Sequence, residues 1–132
     1  MNYLLDTHTF LWTVSSTKDL SKKALEIIKN PKNEIYVSAV SFWEISIKTR
    51  LKKLNIDKIE PEELLPLAEK MDFQVIGLTP EEAITYHKLK EETHNDPFDR
   101  MLIWQSISRN MTIISNDQEF HKFVPYGLKL VW

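Results

Sequence analysis

Five short apolar runs that do not alternate with polar residues constrain this chain more than any other feature. They are Asn2–Leu5, Glu34–Val37, Gln74–Ile76, Thr112–Ile114 and Leu128–Val131, and they are rich in Val, Ile and Leu. A strand with one wet face alternates with period two, so runs of this kind predict strands buried on both faces. Helical patterns separate them. Ser21 opens one that passes through Ala24, Leu25 and Ile28 and stops near Asn30-Pro31; "SAVSFWEISIKTRLKKL" carries the next, and Pro61–Met71 another. At Thr79-Pro80-Glu81-Glu82 an N-cap, a first-position proline and a third-position glutamate start a helix expected to reach about Glu92. Pro97–Asn110 forms a further helix, a short one follows Asp117, and one begins near Thr7. Alternation of strand and helix predicts an α/β fold with a central parallel sheet covered on both faces. With 132 residues, no repeat and no linker, the chain reads as a single domain, 1–132.

In an open parallel sheet, ligands bind beyond the carboxyl ends of the strands. Four acidic residues fall there or close by. Asp6 interrupts "YLLDTHTFLW" where its neighbours should leave water; it is either an N-cap, worth about 1 kcal/mol, or the first member of a site. Glu44 lies about 40° around the helix from Val40, inside a stripe of Val40, Trp43, Ile47, Leu51 and Leu54. A carboxylate there must be desolvated and paired, or ligating; the plain alternative is an i,i+4 ion pair with Lys48. In "HNDPFDRMLIWQSI", Asp96 reads as an N-cap with Asp99 at the third helical position. In "TIISNDQEF", Ser115 or Asn116 is expected to cap a short helix with Asp117 in its first turn.

Taken singly, each acid has a capping or pairing explanation. Converging at one sheet edge, they would repel by several kcal/mol per close pair at an effective dielectric near 20. Such a cluster persists with bound protons or with a hard cation. The chain has no cysteine and no pair of histidines at ligand spacing, and an oxygen-only donor set suits Mg²⁺ or Mn²⁺. Carboxylate-held Mg²⁺ points to phosphoryl transfer. The two glycines, Gly77 and Gly127, stand alone, which excludes GxxxxGK[ST] and GxGxxG loops. A net charge of −2 excludes a surface coated with base for nucleic acid, although Lys48, Arg50, Lys52 and Lys53 form a local basic stretch.

"YLLDTHTFLW", "VSAVSFWEISIK", "HNDPFDRMLIWQSI" and "IISNDQEF", in this order, resemble the PIN-domain family, and most closely its VapC-type toxins from bacterial toxin–antitoxin pairs. The resemblance runs to the terminal "GLKLVW". It implies a three-layer α/β sandwich and a Mg²⁺- or Mn²⁺-dependent endoribonuclease that leaves 5′-phosphate and 3′-hydroxyl ends. Asp6, Glu44, Asp99 and Asp117 match the family's four acidic positions, which together bind one or two ions. Asp96 matches a position less direct in chemistry, while Thr7 and Ser115 match polar positions that orient the acids or bind phosphate. A homodimer, an RNA substrate and a small antitoxin that blocks the cleft are also implied. Trp104 departs from the small residue that relatives often carry there. A catalytically silent PIN-like module that binds RNA or a partner is the alternative. A phosphoacceptor domain fits less well, because Asp6 has no acidic neighbour within its turn.

Other side chains have two readings each. Lys48 and Arg100 are candidate RNA contacts, or members of a solvated helix face and of a pair with Asp96. Phe42 and Ile45 meet another subunit or the antitoxin, or they pack beneath Ile56–Leu67. His8, His87, His94 and His121 are scattered, with His94 near the site through its closeness to Asp96. No leader pattern and no apolar stretch of roughly 20 residues is visible, so the expected location is the cytoplasm.

Overall fold

The computed structural model describes residues 1–132. All five expected runs are strands: β1 (Asn2–Leu5), β2 (Glu34–Ser38), β3 (Gln74–Ile76), β4 (Thr112–Ile114) and β5 (Lys129–Val131). They form one parallel sheet in the order β3-β2-β1-β4-β5. β1 is central, with Leu4 opposite Tyr36 on one side and Ile113 on the other.

Side-chain alternation divides the core in two. Tyr3 and Leu5 of β1, Ile35 and Val37 of β2 and Ile114 of β4 face one layer, built from α1 (Thr7–Ser15), α2 (Lys22–Lys29) and α4 (Leu64–Lys70). Leu4 and Ile113 face the other, where α6 (Pro97–Ser108) supplies Leu102 and Ile103. The helix α3 (Ala39–Arg50) contributes to both, with Ile45 in the first cluster and Val40 in the second. Burial on both faces explains the absence of polar alternation in β1, β2 and β4, whereas β3 and β5, expected to be buried as well, lie at the sheet edges and stay partly exposed; the expected three-layer sandwich is what forms. No helix is long and apolar enough to cross a membrane.

Helix starts follow their capping residues. Asp6, Ser21, Ser38, Thr79 and Asp96 each accept a main-chain N–H from the first turn that follows. Three expectations change. The helix α5 (Pro80–Thr85) yields to a 3₁₀ turn at Tyr86–Lys88 instead of reaching Glu92, because Leu89 enters the core and the carbonyls beyond it are claimed by a side chain of α6. Asp117, not Ser115 or Asn116, caps the last helical segment, a 3₁₀ run from Gln118 to Tyr126. The buried face of α3 is Val40, Ser41, Glu44 and Ile45, whereas Trp43 is 60% exposed and Leu51 45% exposed. That face is set by the sheet, α1 and α6 rather than by the most apolar stripe. Ile45 is buried in the core and Phe42 packs against the same cluster, edge-on to Phe10; Ile56, Ile59 and Leu67 pack against that cluster too, in line with the reading that places the pair beneath Ile56–Leu67.

Candidate active site

β1 ends at Leu5, and its next residue, Asp6, is buried at the carboxyl edge of the sheet. Its carboxylate accepts the Ser115 hydroxyl at 2.5 Å and the Thr9 amide at 2.8 Å. The capping and site readings of Asp6 therefore describe one residue: the cap fixes where the carboxylate sits. Burial pushes the Asp6 carboxyl above the usual carboxylate range, against the pull of Ser115, Thr9 and the nearby His8.

Glu44 reaches the same place from α3 and is 3% exposed. Thr7 donates to its Oε1 at 2.6 Å and shares a 3.0 Å hydrogen bond with the Ser41 hydroxyl. Lys48, one turn further along α3, forms an ion pair with Glu44 Oε2. Glu44 is thus desolvated as expected, and the i,i+4 pair with Lys48 that was its plain alternative is formed. Burial works against the Lys48 ammonium, yet contact with Glu44 and the charges of Asp96 and Asp99 hold it above the ordinary lysine value.

From α6 comes Asp99, with the capping residue Asp96 beside it. Burial pushes Asp99 up to about 6, reinforced by the charges of Asp96 and Glu44 and opposed by a hydrogen bond with His94. Asp117, exposed beyond the end of β4, completes the set. Asp6, Glu44, Asp96, Asp99 and Asp117 line one cleft of about 280 Å³. Trp12 is its one apolar wall, and Lys48 its one lysine or arginine.

The donor set fits a hard divalent cation: all the acidic side chains of the cleft offer oxygen, and burial makes two of them costly to ionise without a cation nearby. As the side chains stand, no three of them enclose a common point. Both oxygens of Glu44 are held, by Lys48 and Thr7, so closure on an ion would exchange one of these partners, whereas Asp99 has only Oδ2 engaged, by His94.

Of the two polar residues expected to support the acids, Ser115 donates to Asp6 and Thr7 to Glu44. Ser41 was not anticipated, although its place one turn before Glu44 on the same helix is a signal. His94 at 2.9 Å from Asp99 was anticipated only as a neighbour of the site. Arg100 is not among the residues that line the cleft, and the alternative pair with Asp96 is not formed. Its guanidinium donates instead to the carbonyls of Leu89, Glu91 and His94 and to the Tyr86 hydroxyl, with the Tyr86 and Phe123 rings alongside. A loop that leaves three carbonyls unpaired in water-poor surroundings needs such a donor fork. We therefore expect Arg100→Met to lower stability by on the order of 2 kcal/mol, measured by urea unfolding. Trp104 donates its indole N–H to Thr85 Oγ1 at 3.1 Å, joining α6 to α5, so its departure from the family pattern is a packing feature.

The family model of the PIN domain matches residues 3–124. The chain belongs to the PIN domain family. Among solved structures, the PIN chain resembles one from the VapBC2 complex of Rickettsia felis bound to a promoter DNA fragment, at TM-score 0.73 and 20% identity over 99% of this chain and 98% of that one. A chain of DNA-bound VapBC from Salmonella typhimurium matches at TM-score 0.67 and 19% identity, over 99% and 97%. One of VapBC-1 from nontypeable Haemophilus influenzae matches at TM-score 0.67 and 20% identity, over the same shares. At such identities these likenesses establish the shared fold. The sequence finds no match among curated proteins.

Proposed function

We propose that this PIN domain is a Mg²⁺- or Mn²⁺-dependent endoribonuclease and the toxin half of a type II toxin–antitoxin pair. The observation that carries the reading is the meeting of Asp6, Glu44, Asp99 and Asp117, from four separate segments, in one cleft at the carboxyl edge of the sheet. A cation bound to these oxygens would supply charge neutralisation at the phosphodiester and lower the pKa of an attacking water. The protein's own part is placement. Ser115 and Thr9 fix Asp6, Thr7, itself bonded to Ser41, fixes one oxygen of Glu44, and Lys48 is the cationic side chain available to a phosphate once released from Glu44. Hydrolysis joins water oxygen to phosphorus and breaks the P–O3′ bond, leaving a 5′-phosphate and a 3′-hydroxyl.

The cognate partner under this reading is a small antitoxin that covers the cleft, as the similarity to chains of VapBC complexes suggests. A homodimer and a cytoplasmic location belong to the same proposal. Purified protein freed of antitoxin is expected to cut RNA with Mg²⁺ or Mn²⁺ and not with EDTA. Either ion at about 100 times its dissociation constant is expected to stabilise the fold by roughly 2.7 kcal/mol, read as a rise in melting temperature. The Lys48–Glu44 pair, which occupies an acid without any ion, favours a second reading: a silent module that binds RNA without cutting it. RNA binding with neither an ion-dependent melting shift nor cleavage would select that one.

A further inference from the structure

The segment between α5 and α6 has no regular structure after Lys88, yet it is held at Leu89, Glu91, Thr93 and His94. The Glu91 carboxylate turns back to accept the Thr93 and His94 amides and the Thr93 hydroxyl. Arg100 clamps the carbonyls of Leu89, Glu91 and His94 from the other side. The His94 ring stands edge-on to Phe120 and Phe123, at centroid distances of 6.3 and 6.0 Å. What this bracing presents is a single polar atom, Nε2 of His94, 2.9 Å from Asp99 Oδ2, with the His94 side chain only 14% exposed.

We propose that His94 is a positioning residue for the cleft: its Nε2–H holds Asp99 Oδ2 and leaves Oδ1 as the free oxygen of that carboxylate, and the Arg100-braced loop keeps it there. The inference rests on the nuclease reading and adds a residue to it. An aspartate carboxylate, two rotatable bonds beyond its helix, swings freely unless one oxygen is fixed, and fixing it before an ion arrives removes that ordering cost from binding. The neighbouring residues divide the work. Asp99 faces the cleft, while Arg100, next on α6, faces the loop that carries His94.

Two variants test this. His94→Phe keeps a ring between Phe120 and Phe123 and deletes the donor; His94→Gln restores an N–H near the position of Nε2. Mn²⁺ uptake by each, with wild type alongside, is measured calorimetrically on the whole chain freed of antitoxin, after circular dichroism establishes that each is folded. We expect His94→Phe to weaken Mn²⁺ binding about tenfold and His94→Gln to recover most of that loss. In RNA cleavage the His94→Phe defect is expected in kcat, with KM unchanged. Equal Mn²⁺ affinity in wild type and His94→Phe overturns the inference alone. So does an equal defect in folded His94→Phe and His94→Gln, which would make the ring's packing, not its donor, the relevant property. Wild-type protein that takes up no Mn²⁺ overturns the metal reading and this inference with it.

Discussion

Asp99→Asn is expected to abolish RNA cleavage and, in the ion-free protein at pH 8, to raise the melting temperature rather than lower it. The folded state holds the Asp99 carboxyl at about 6 against an ordinary value of 3.8, because burial and the charges of Asp96 and Glu44 penalise the anion. Between those values the folded chain binds more protons than the unfolded chain. The stability contributed by Asp99 is therefore complete below about pH 4 and declines as pH rises through about 6, leaving a standing cost above it. Asparagine removes that cost. Discounted for the residue's partial exposure, the gain is on the order of 1 kcal/mol, or roughly 3–5 °C for a domain of this size.

The same substitution removes a cation ligand under the proposed mechanism, and cleavage should fall by at least roughly 10²–10³-fold, a loss typical of deleting one charge-stabilising group. Asp6→Asn is expected to act in the same two directions, since burial also raises its carboxyl. For wild type, Mn²⁺ affinity should increase as pH rises through about 6, where Asp99 loses its proton. Undiminished cleavage in both asparagine variants would sink the four-carboxylate mechanism; a lower melting temperature in Asp99→Asn would sink the electrostatic account of the site.

The largest loss of stability is expected from a pair outside the cleft. Arg109 Nε donates to Glu82 Oε2 at 2.6 Å and its Nη2 to Oε1 at 3.1 Å. Glu82 also accepts the Thr79 amide and the Gln105 side-chain amide, and Gln105 in turn accepts the Ser38 hydroxyl at 2.6 Å. This chain of bonds ties α5 to α6 and to the end of β2. Burial works to raise the Glu82 carboxyl, but Arg109, Thr79 and Gln105 together hold it down at about 2, from an ordinary 4.5.

Arg109→Met would strand a buried carboxylate, at a cost on the order of 3 kcal/mol at pH 7 by chemical denaturation. The sign in acid is opposite to that of Asp99. Stability from Glu82 is present above about pH 4.5 and lost as pH falls toward 2, so wild type should weaken across that window. Arg109→Met should weaken less there, having already lost the interaction. Parallel acid curves for the two proteins would remove Glu82 as the cause.

Much of the helical architecture was legible because its signals are local. Thr79-Pro80-Glu81-Glu82 forms the capping box that its spacing indicates, and Asp96 caps α6 ahead of Pro97 as expected. The end of α5 was not legible, because it depends on Arg100, eleven residues beyond Leu89, which draws the loop's carbonyls out of helical geometry. The stripe through Trp43 and Leu51 misled for a related reason. Hydrophobicity ranks the faces of an isolated helix, whereas α3 is turned by its contacts with the sheet, α1 and α6, leaving Trp43 outside against Phe98. That four acids line one cleft was expected from their positions near strand ends and helix starts together with the family resemblance, since each position taken singly read equally well as a cap or a pair. Their partners were not legible: Ser41, the Lys48 pair as a feature of the cleft itself, and His94 as the hydrogen-bond partner of Asp99.

Sequence by itself determined the five strand positions and most of the capped helix starts, since each follows from residue type, period or near-neighbour spacing, and it marked the four acids as candidates through their resemblance to the PIN-domain pattern. Only the tertiary structure decided what those acids are. Asp6 and Ser115 are 109 residues apart in the chain and 2.5 Å apart in the cleft, and Thr7 meets Glu44 across 37 residues. Burial, which raises Asp6 and Asp99, is a property of the packed whole and has no signature in any single segment. The carboxylate that interrupts the first strand's apolar run is both a cap and a wall of the cleft, because the fold places the end of β1 where α1 must begin.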